Sequence, residues 1–340
     1  MEYLRNDSIM LENITDKDDY IISKSLLLEV DRYVIAAIFL VIMTAGLFGN
    51  GLVIAAVCSS KNLRSVTYAF VVALSISDLL TMLNIPLNTV AILSIDGWKL
   101  PEWICVANSF CALSLIGFSL ATMACISVNR LTLFTVSREI HDKIFSSRNT
   151  ALIILIVAAI NLSVPLSPIL FDFGKLGYDE RFSTCTWDKS HKRAYEYELF
   201  AVMIQYPIQL IVCIGCYTKL YFVIRKQTHV MLAHNCSTDS SRSSNLCQSL
   251  SRRQMEVTKS MFYILCTFLI CTAPFAIIMM MNSAGRFGPY SGCILLLNSA
   301  LNPLIYALKH PDFKTEMKRV LMGLMCRKPR EENSINGFRI

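Results

Sequence analysis

Residues 33–58 read YVIAAIFLVIMTAGLFGNGLVIAAVC, a run without one charged side chain. About twenty apolar residues in a helix suffice to cross a hydrocarbon core roughly 30 Å thick. This run is apolar on most faces, with isolated polar points such as Asn50, so it lacks the narrow apolar stripe of a soluble surface helix. Six further runs repeat the pattern, at about 67–93, 103–135, 149–171, 197–225, 257–282 and 289–308. The fold expected is an all-α membrane protein, a seven-transmembrane helix bundle.

Composition agrees. Hydrophobic residues make up 54% of the 340, charged residues only 17%, and mean hydropathy is +0.48. A soluble domain usually carries about a quarter charged residues. Length alone permits two or three soluble domains, but no polar linker separates compact halves. Most of the thirteen cysteines lie inside apolar runs, so they do not form a disulfide scaffold.

Charge placement sets the orientation. Lys61 and Arg64 lie between the first two runs, and Arg130, Arg138, Lys143 and Arg148 surround the connection from third to fourth. Arg225, Lys226, Arg252, Arg253 and Lys259 flank the connection from fifth to sixth, and Lys309, Lys314, Lys318 and Arg319 follow the seventh. These alternate connections share one side, which the positive-inside rule makes cytoplasmic. Their matching sidedness explains the net charge of +7 as topology, so nucleic acid is not an expected partner. Residues 1–32 then form an extracellular tail, 33–308 the bundle and 309–340 a cytoplasmic tail. The first run would act as an uncleaved signal anchor. The segment 227–255, with Ser237, Ser240, Ser241, Ser243, Ser244, Ser249 and Ser251, reads as a disordered, phosphorylatable loop or a plain flexible linker. In the outer tail, Asn6 and Asn13 begin glycosylation sequons.

Ionisable groups inside a membrane are costly and mark a cavity or a partner. Asp78 is the clearest, with Asn50, Ser119, Asn298, Ser299 and Asn302 as companion polar groups. An acid among neutral oxygens suits a hydrated cation such as sodium; the alternative is a protonated or water-bridged Asp that packs helices. Arg130, at the cytoplasmic end of the third run, reads on chemistry alone as a snorkelling interface arginine. Pro303 removes a helix donor beside Asn302 and Tyr306 and predicts a local kink. Cys105 and Cys185 both face the oxidising side and can pair, pinning the second outer loop over the bundle; the alternative is two unrelated thiols. After the seventh run, Phe313, Met317, Val320, Leu321 and Leu324 form an apolar stripe opposite Lys314, Lys318 and Arg319, as in an amphipathic helix on the inner membrane surface. Cys326, at its end, is a candidate palmitoylation site.

The order of these features along the chain is specific. Gly49-Asn50, Leu74 to Asp78, Cys105, Asn129-Arg130-Leu131, Cys185, Phe268 to Pro274 and Asn302 to Tyr306 follow in sequence. In this order the chain resembles the rhodopsin-like (class A) G-protein-coupled receptors over its whole membrane portion. Asn129-Arg130 and the loop from Gly177 to Cys185 are also similar to melatonin receptors and related invertebrate orphan receptors. The resemblance implies a receptor of the plasma membrane that binds an extracellular ligand and activates a heterotrimeric G protein, with arrestin and receptor kinases as further partners. It implies that Arg130 reaches the G protein when the sixth helix swings outward, that Phe268, Thr272, Pro274, Asn302, Pro303 and Tyr306 belong to the switch, and that Asp78, Ser119, Asn298, Ser299 and Asn302 form an allosteric sodium pocket. Two other readings stay open: a seven-helix scaffold without G-protein coupling, and an ion transporter with Asp78 as relay. Missing internal repeats count against the second.

The chain departs from the family pattern at several positions. Asn129 stands where an acid is usual, Leu131 where a tyrosine is usual and Thr272 where a tryptophan is usual. Tyr217 follows Pro207 at unusual spacing, and the fourth run has no tryptophan. Ala112 replaces the aspartate of amine receptors, and Leu296 the lysine of retinal-binding opsins. Candidate ligand-pocket residues are Asn108, Cys111, Ala112, Gln205, Met279 and Asn282. No residue set suggests catalysis, since the five histidines lack metal-ligand spacing. No cofactor is expected beyond the sodium ion.

Overall fold

A computed structural model describes residues 29–60, 63, 66–235, 243–280 and 286–325. Asn6, Asn13, Asn282 and Cys326 lie outside these described residues. Seven helices are long and apolar enough to cross a membrane: Glu29–Ser59, Tyr68–Leu93, Glu102–Thr135, Ser147–Phe171, Ala194–Lys226, Met255–Met279 and Phe287–Lys309. They are numbered here as the first to seventh spans, and each lies within a few residues of its expected apolar run.

The third span is the centre of the bundle and touches the second, fourth, fifth and sixth. The first packs on the second and seventh. Large apolar side chains cover the outside, among them Leu155, Ile211 and Ile270, as lipid contact requires. Inside, three apolar clusters divide the bundle. One fills the cytoplasmic half around Leu74, Leu120, Ile264 and Tyr306. Another lies under the outer loop around Leu113, Trp187, Tyr197 and Met279, and a third joins the first, second and seventh spans through Phe39, Met82 and Ile85.

Prolines shape the spans locally. The fifth is two helices, Ala194–Gln205 and Pro207–Asn235, broken at Tyr206. Pro207 has no N–H to offer the carbonyl of Met203, so the ladder is interrupted there. Pro274 and Pro303 stand inside the sixth and seventh. Gly49 lets the first span meet the second of these: a Cβ at residue 49 would sit 2.8 Å from Pro303 Cβ.

Two features differ from the expectation. Residues 227–235 and 243–255 are not an irregular loop, because the helix runs through Asn235 and resumes at Ser243. Neither stretch contains proline or glycine, so serine content alone did not end the helices. The all-α expectation also misses a small antiparallel hairpin, β1 Leu176–Asp179 with β2 Thr184–Trp187, in the outer loop before the fifth span. On the cytoplasmic side, a short helix Arg138–Ile144 follows the third span, and the amphipathic helix Pro311–Met325 follows the seventh. It buries Phe313 and Met317 in the cytoplasmic cluster, and Asp312 accepts a 2.7 Å hydrogen bond from the Tyr68 hydroxyl.

Candidate functional site

The outer end of the bundle is closed by the hairpin. A disulfide joins Cys185 in β2 to Cys105 at the start of the third span, with Cα atoms 5.3 Å apart. Charges anchor the rest. Arg181 pairs with Asp179 at 2.7 Å and with Glu198 of the fifth span at 3.0 Å, and Lys189 also contacts Glu198. Lys175 bridges Glu102 at 2.7 Å and Asp188 at 3.0 Å, and these bonds raise its ammonium above the usual lysine range. Burial works against the Asp188 carboxylate, but bonds from Ser190 and Lys175 hold it below the ordinary carboxylate range.

Beneath this cover lies a cavity of ≈ 90 Å³ among the third, fifth, sixth and seventh spans. Its walls include Ala112, Gln205 and Met279 from the expected set, with Thr186, Trp187, Tyr206, Thr272, Phe275 and Ala276. Of the other candidates, two described ones do not line it. Cys111 is exposed on the outside of the third span. Asn108 is buried but donates to Asn88 Oδ1 at 2.7 Å, and Asn282 falls outside the described residues. On a helix, positions 108, 111 and 112 lie near one another, and apolar patterning could not tell the cavity side from the lipid side. The two hairpin residues, Thr186 and Trp187, were missed. No pattern in the sequence singled them out; once β2 is known, Trp187 lies two residues after Cys185 and so on the same face of the strand.

Midway down, Asp78 is fully buried. Asn302 Nδ2 donates to its Oδ2 at 2.9 Å, Ser119 Oγ stands 3.5 Å from Oδ1, and Ser299 is alongside. Ser119 also bonds Ser77 at 3.0 Å. Among the described residues, Asn298 Oδ1 and Asn302 Oδ1 are buried acceptors without a donor. A cavity of ≈ 20 Å³, lined by Ser119, Thr272, Asn298 and Ser299, lies against the cluster. One carboxylate with orphaned amide oxygens is the donor set a hydrated sodium ion accepts.

At the cytoplasmic end, Arg130 is 3% exposed, and neither Nε nor Nη2 has a hydrogen-bond acceptor among the described residues. It is not the snorkelling arginine that its chemistry alone suggested. Tyr68, Tyr217, Tyr306 and Asp312 face it electrostatically. Tyr217, despite its spacing from Pro207, is buried and packs at a tilt against Phe262, ring centroids 5.9 Å apart. Leu131 is half-buried on the cytoplasmic cluster, together with buried Phe268. Asn129 is fully buried and turns to His141 in the short helix Arg138–Ile144. Nothing in the spacing of His141 announced that contact. Higher in the sixth span, Thr272 Oγ1 reaches the Tyr206 hydroxyl at 3.3 Å.

The family model described as 7 transmembrane receptor (rhodopsin family) matches residues 49–306. The chain belongs to that family. It is a G-protein-coupled receptor and a multi-pass membrane protein. Among its relatives, melatonin receptor type 1C of Gallus gallus is 28% identical over 87% of this chain and 83% of that protein. Melatonin receptor type 1B of Homo sapiens is 30% identical over 85% of this chain and 78% of its own length. A rhodopsin described as GQ-coupled, from Mizuhopecten yessoensis, is 27% identical over 88% of this chain and 62% of its own length. The structure of squid rhodopsin superposes with a TM-score of 0.78 at 18% identity, covering 90% of this receptor and 89% of that chain, which shows the shared fold. The likeness to melatonin receptors, first visible in short segments, extends across most of the receptor.

Proposed function

We propose that this receptor sits in the plasma membrane, takes an extracellular ligand into the cavity under the hairpin and activates a heterotrimeric G protein through Arg130. The observation that carries the reading is the state of Arg130. A buried guanidinium with unmatched donors at the cytoplasmic mouth is costly to maintain. An incoming G-protein segment with backbone carbonyls supplies the acceptors. Ligand and G protein each bind the active and inactive bundles unequally, so each shifts the population in favour of the other. Thr272 belongs to both ends of this coupling, since it lines the outer cavity and also the small cavity near Asp78. In the sixth and seventh spans, Phe268, Pro274, Pro303 and Tyr306 are the positions that rearrange.

Sodium at Asp78 favours the inactive bundle, held by the carboxylate with Ser119, Asn298, Ser299 and Asn302. Arrestin and receptor kinases act on the cytoplasmic face, which the serines of 236–251 supply with acceptor hydroxyls. Asn6 and Asn13 carry glycans, and Cys326 carries a palmitoyl chain at the end of the amphipathic helix.

Arg130→Ala tests the central step. Surface expression is expected to persist while G-protein activation, read by sensors for each coupling class, falls at least tenfold. Full activation by the variant at equal surface density would refute the role of Arg130.

A further inference from the structure

Two neighbouring spans are each weakened by a proline, and one hydrogen bond ties the weak points together. The fifth span breaks at Tyr206, where Pro207 leaves the carbonyl of Met203 without its helix donor. In the sixth span Pro274 does the same to the carbonyl of Ile270, and Thr272 stands inside that open turn. A turn that lacks its ladder bond bends more readily than its neighbours. Tyr206 and Thr272 meet between the two turns, hydroxyl to hydroxyl, at 3.3 Å. Thr272 Oγ1 also donates to the Phe268 carbonyl at 2.9 Å. A threonine hydroxyl has one hydrogen, so with it on that carbonyl the oxygen is left to accept from the Tyr206 O–H.

The surroundings of this bond reach both ends of the bundle. Tyr206 and Thr272 both line the outer cavity. Tyr206 is also half-buried against the cytoplasmic apolar cluster that contains Phe268, and Thr272 lines the small cavity beside the Asp78 group. Thr272 is 4% exposed, so little water reaches it to replace the tyrosine hydrogen when the two part.

We propose that Tyr206 is a positioning residue for coupling: its hydroxyl holds Thr272, and with it the open turn of the sixth span, in the resting bundle. The proposal rests on the reading that this receptor activates a G protein when the sixth span moves. Parting the two spans at this level breaks the bond, so the bond favours the bundle in which they stay together. Because both partners line the outer cavity, an occupant that separates them releases the sixth span.

Four full-length receptors test this in cells at equal surface density: the unmodified chain, Tyr206→Phe, Thr272→Val and the double variant. Phenylalanine keeps the ring and removes the hydroxyl, and valine keeps the volume of threonine. Ligand-free G-protein activation is read with sensors for each coupling class. Tyr206→Phe is expected to raise it about fivefold, the ratio one net hydrogen bond supplies. Thr272→Val is expected to raise it as well. Added to Thr272→Val, Tyr206→Phe is expected to change nothing further, because one bond is lost only once. Merely weakened packing would lower the output instead, and two independent defects would add. Either single variant carries the test should the other fail to reach the surface.

Output unchanged or lowered by Tyr206→Phe overturns the proposal. So does an equal rise whether residue 272 is threonine or valine, or silence of all four receptors. Arg130→Ala separates this outcome from that of the proposed function. If the raised output of Tyr206→Phe survives the addition of Arg130→Ala, Arg130 is not the route to the G protein and the tie still stands. If Arg130→Ala abolishes basal output while Tyr206→Phe matches the unmodified receptor, the coupling stands and the tie falls.

Discussion

Asn129 Nδ2 lies 3.4 Å from His141 Nε2, joining the third span to the short cytoplasmic helix that follows it. His141 Nδ1 faces Asp142 Oδ1 at 3.1 Å, so the imidazole hydrogen belongs on Nδ1 and the Nε2 lone pair accepts from the amide. This contact occupies the position where an acid would otherwise hold the neighbouring arginine. Arg130 is therefore restrained by packing and long-range electrostatics rather than by a paired carboxylate.

Asn129→Asp restores an acid there and should quiet the receptor. An acceptor beside Arg130 stabilises the inactive bundle, and ~1 kcal/mol of differential stabilisation changes the population ratio about fivefold. Ligand-free G-protein activation is expected to fall by that factor at equal surface density. Unchanged or increased basal output would show that the missing acid does not set the resting state.

Gly117 marks the tightest crossing near the cavity. A Cβ there would sit 2.4 Å from Asn161 Oδ1 and 2.4 Å from Gln205 Nε2. Both partners are buried, and each already bonds a backbone carbonyl, of Val157 and Leu113 respectively. Gly117→Ala is expected to cost about 1–3 kcal/mol as overpacking. A clear drop in thermal midpoint checks this, with Gly51→Ala, where a Cβ meets nothing within 4 Å, as the neutral comparison.

The proposed sodium site at Asp78 predicts a salt-specific stability. Replacing choline chloride by sodium chloride at constant ionic strength should raise the thermal midpoint of the ligand-free receptor. Asp78→Asn keeps the shape but removes the charge, and its midpoint should be the same in both salts. A variant still stabilised by sodium would place the ion elsewhere.

A clasp at the outer surface joins the first and seventh spans. Arg286 donates to both oxygens of Asp31, at 2.6 and 2.7 Å, and the Tyr290 hydroxyl donates to Oδ1 at 2.8 Å. Asp31 is buried, whereas nearly half of the Arg286 side chain is exposed. Removing the cation leaves a buried carboxylate underpaired, while removing the phenol leaves the bidentate pair intact. Arg286→Ala should therefore lower the thermal midpoint more than Tyr290→Phe does, and the reverse order would mean the phenol is the main anchor.

The sequence was most legible where one physical signal dominates. Uniform apolarity located all seven spans, because the bilayer tolerates little else. The cluster of Asp78, Ser119, Ser299 and Asn302 was legible for a different reason: an acid inside a membrane needs polar company, and the order of motifs along the chain indicated which of many polar residues supply it. The hairpin was not legible. Leu176 to Trp187 is short, lacks strong alternation and is held in place by a disulfide and ion pairs that depend on distant residues. Cys111 was misplaced because an apolar helix presents similar side chains to lipid and to the cavity. The Asn129–His141 contact needed the course of the chain after the third span, which periodicity does not describe.

Trp187 and Thr186 give the hairpin a consequence of its own. The wall of the outer cavity comes partly from a connecting strand, fastened by one covalent bond and a few charges. The apparatus that transmits the signal is built from the spans below it. Residues of the strand can therefore change without repacking the helices, so chemical selectivity can drift between related receptors while the machinery of transmission is inherited intact.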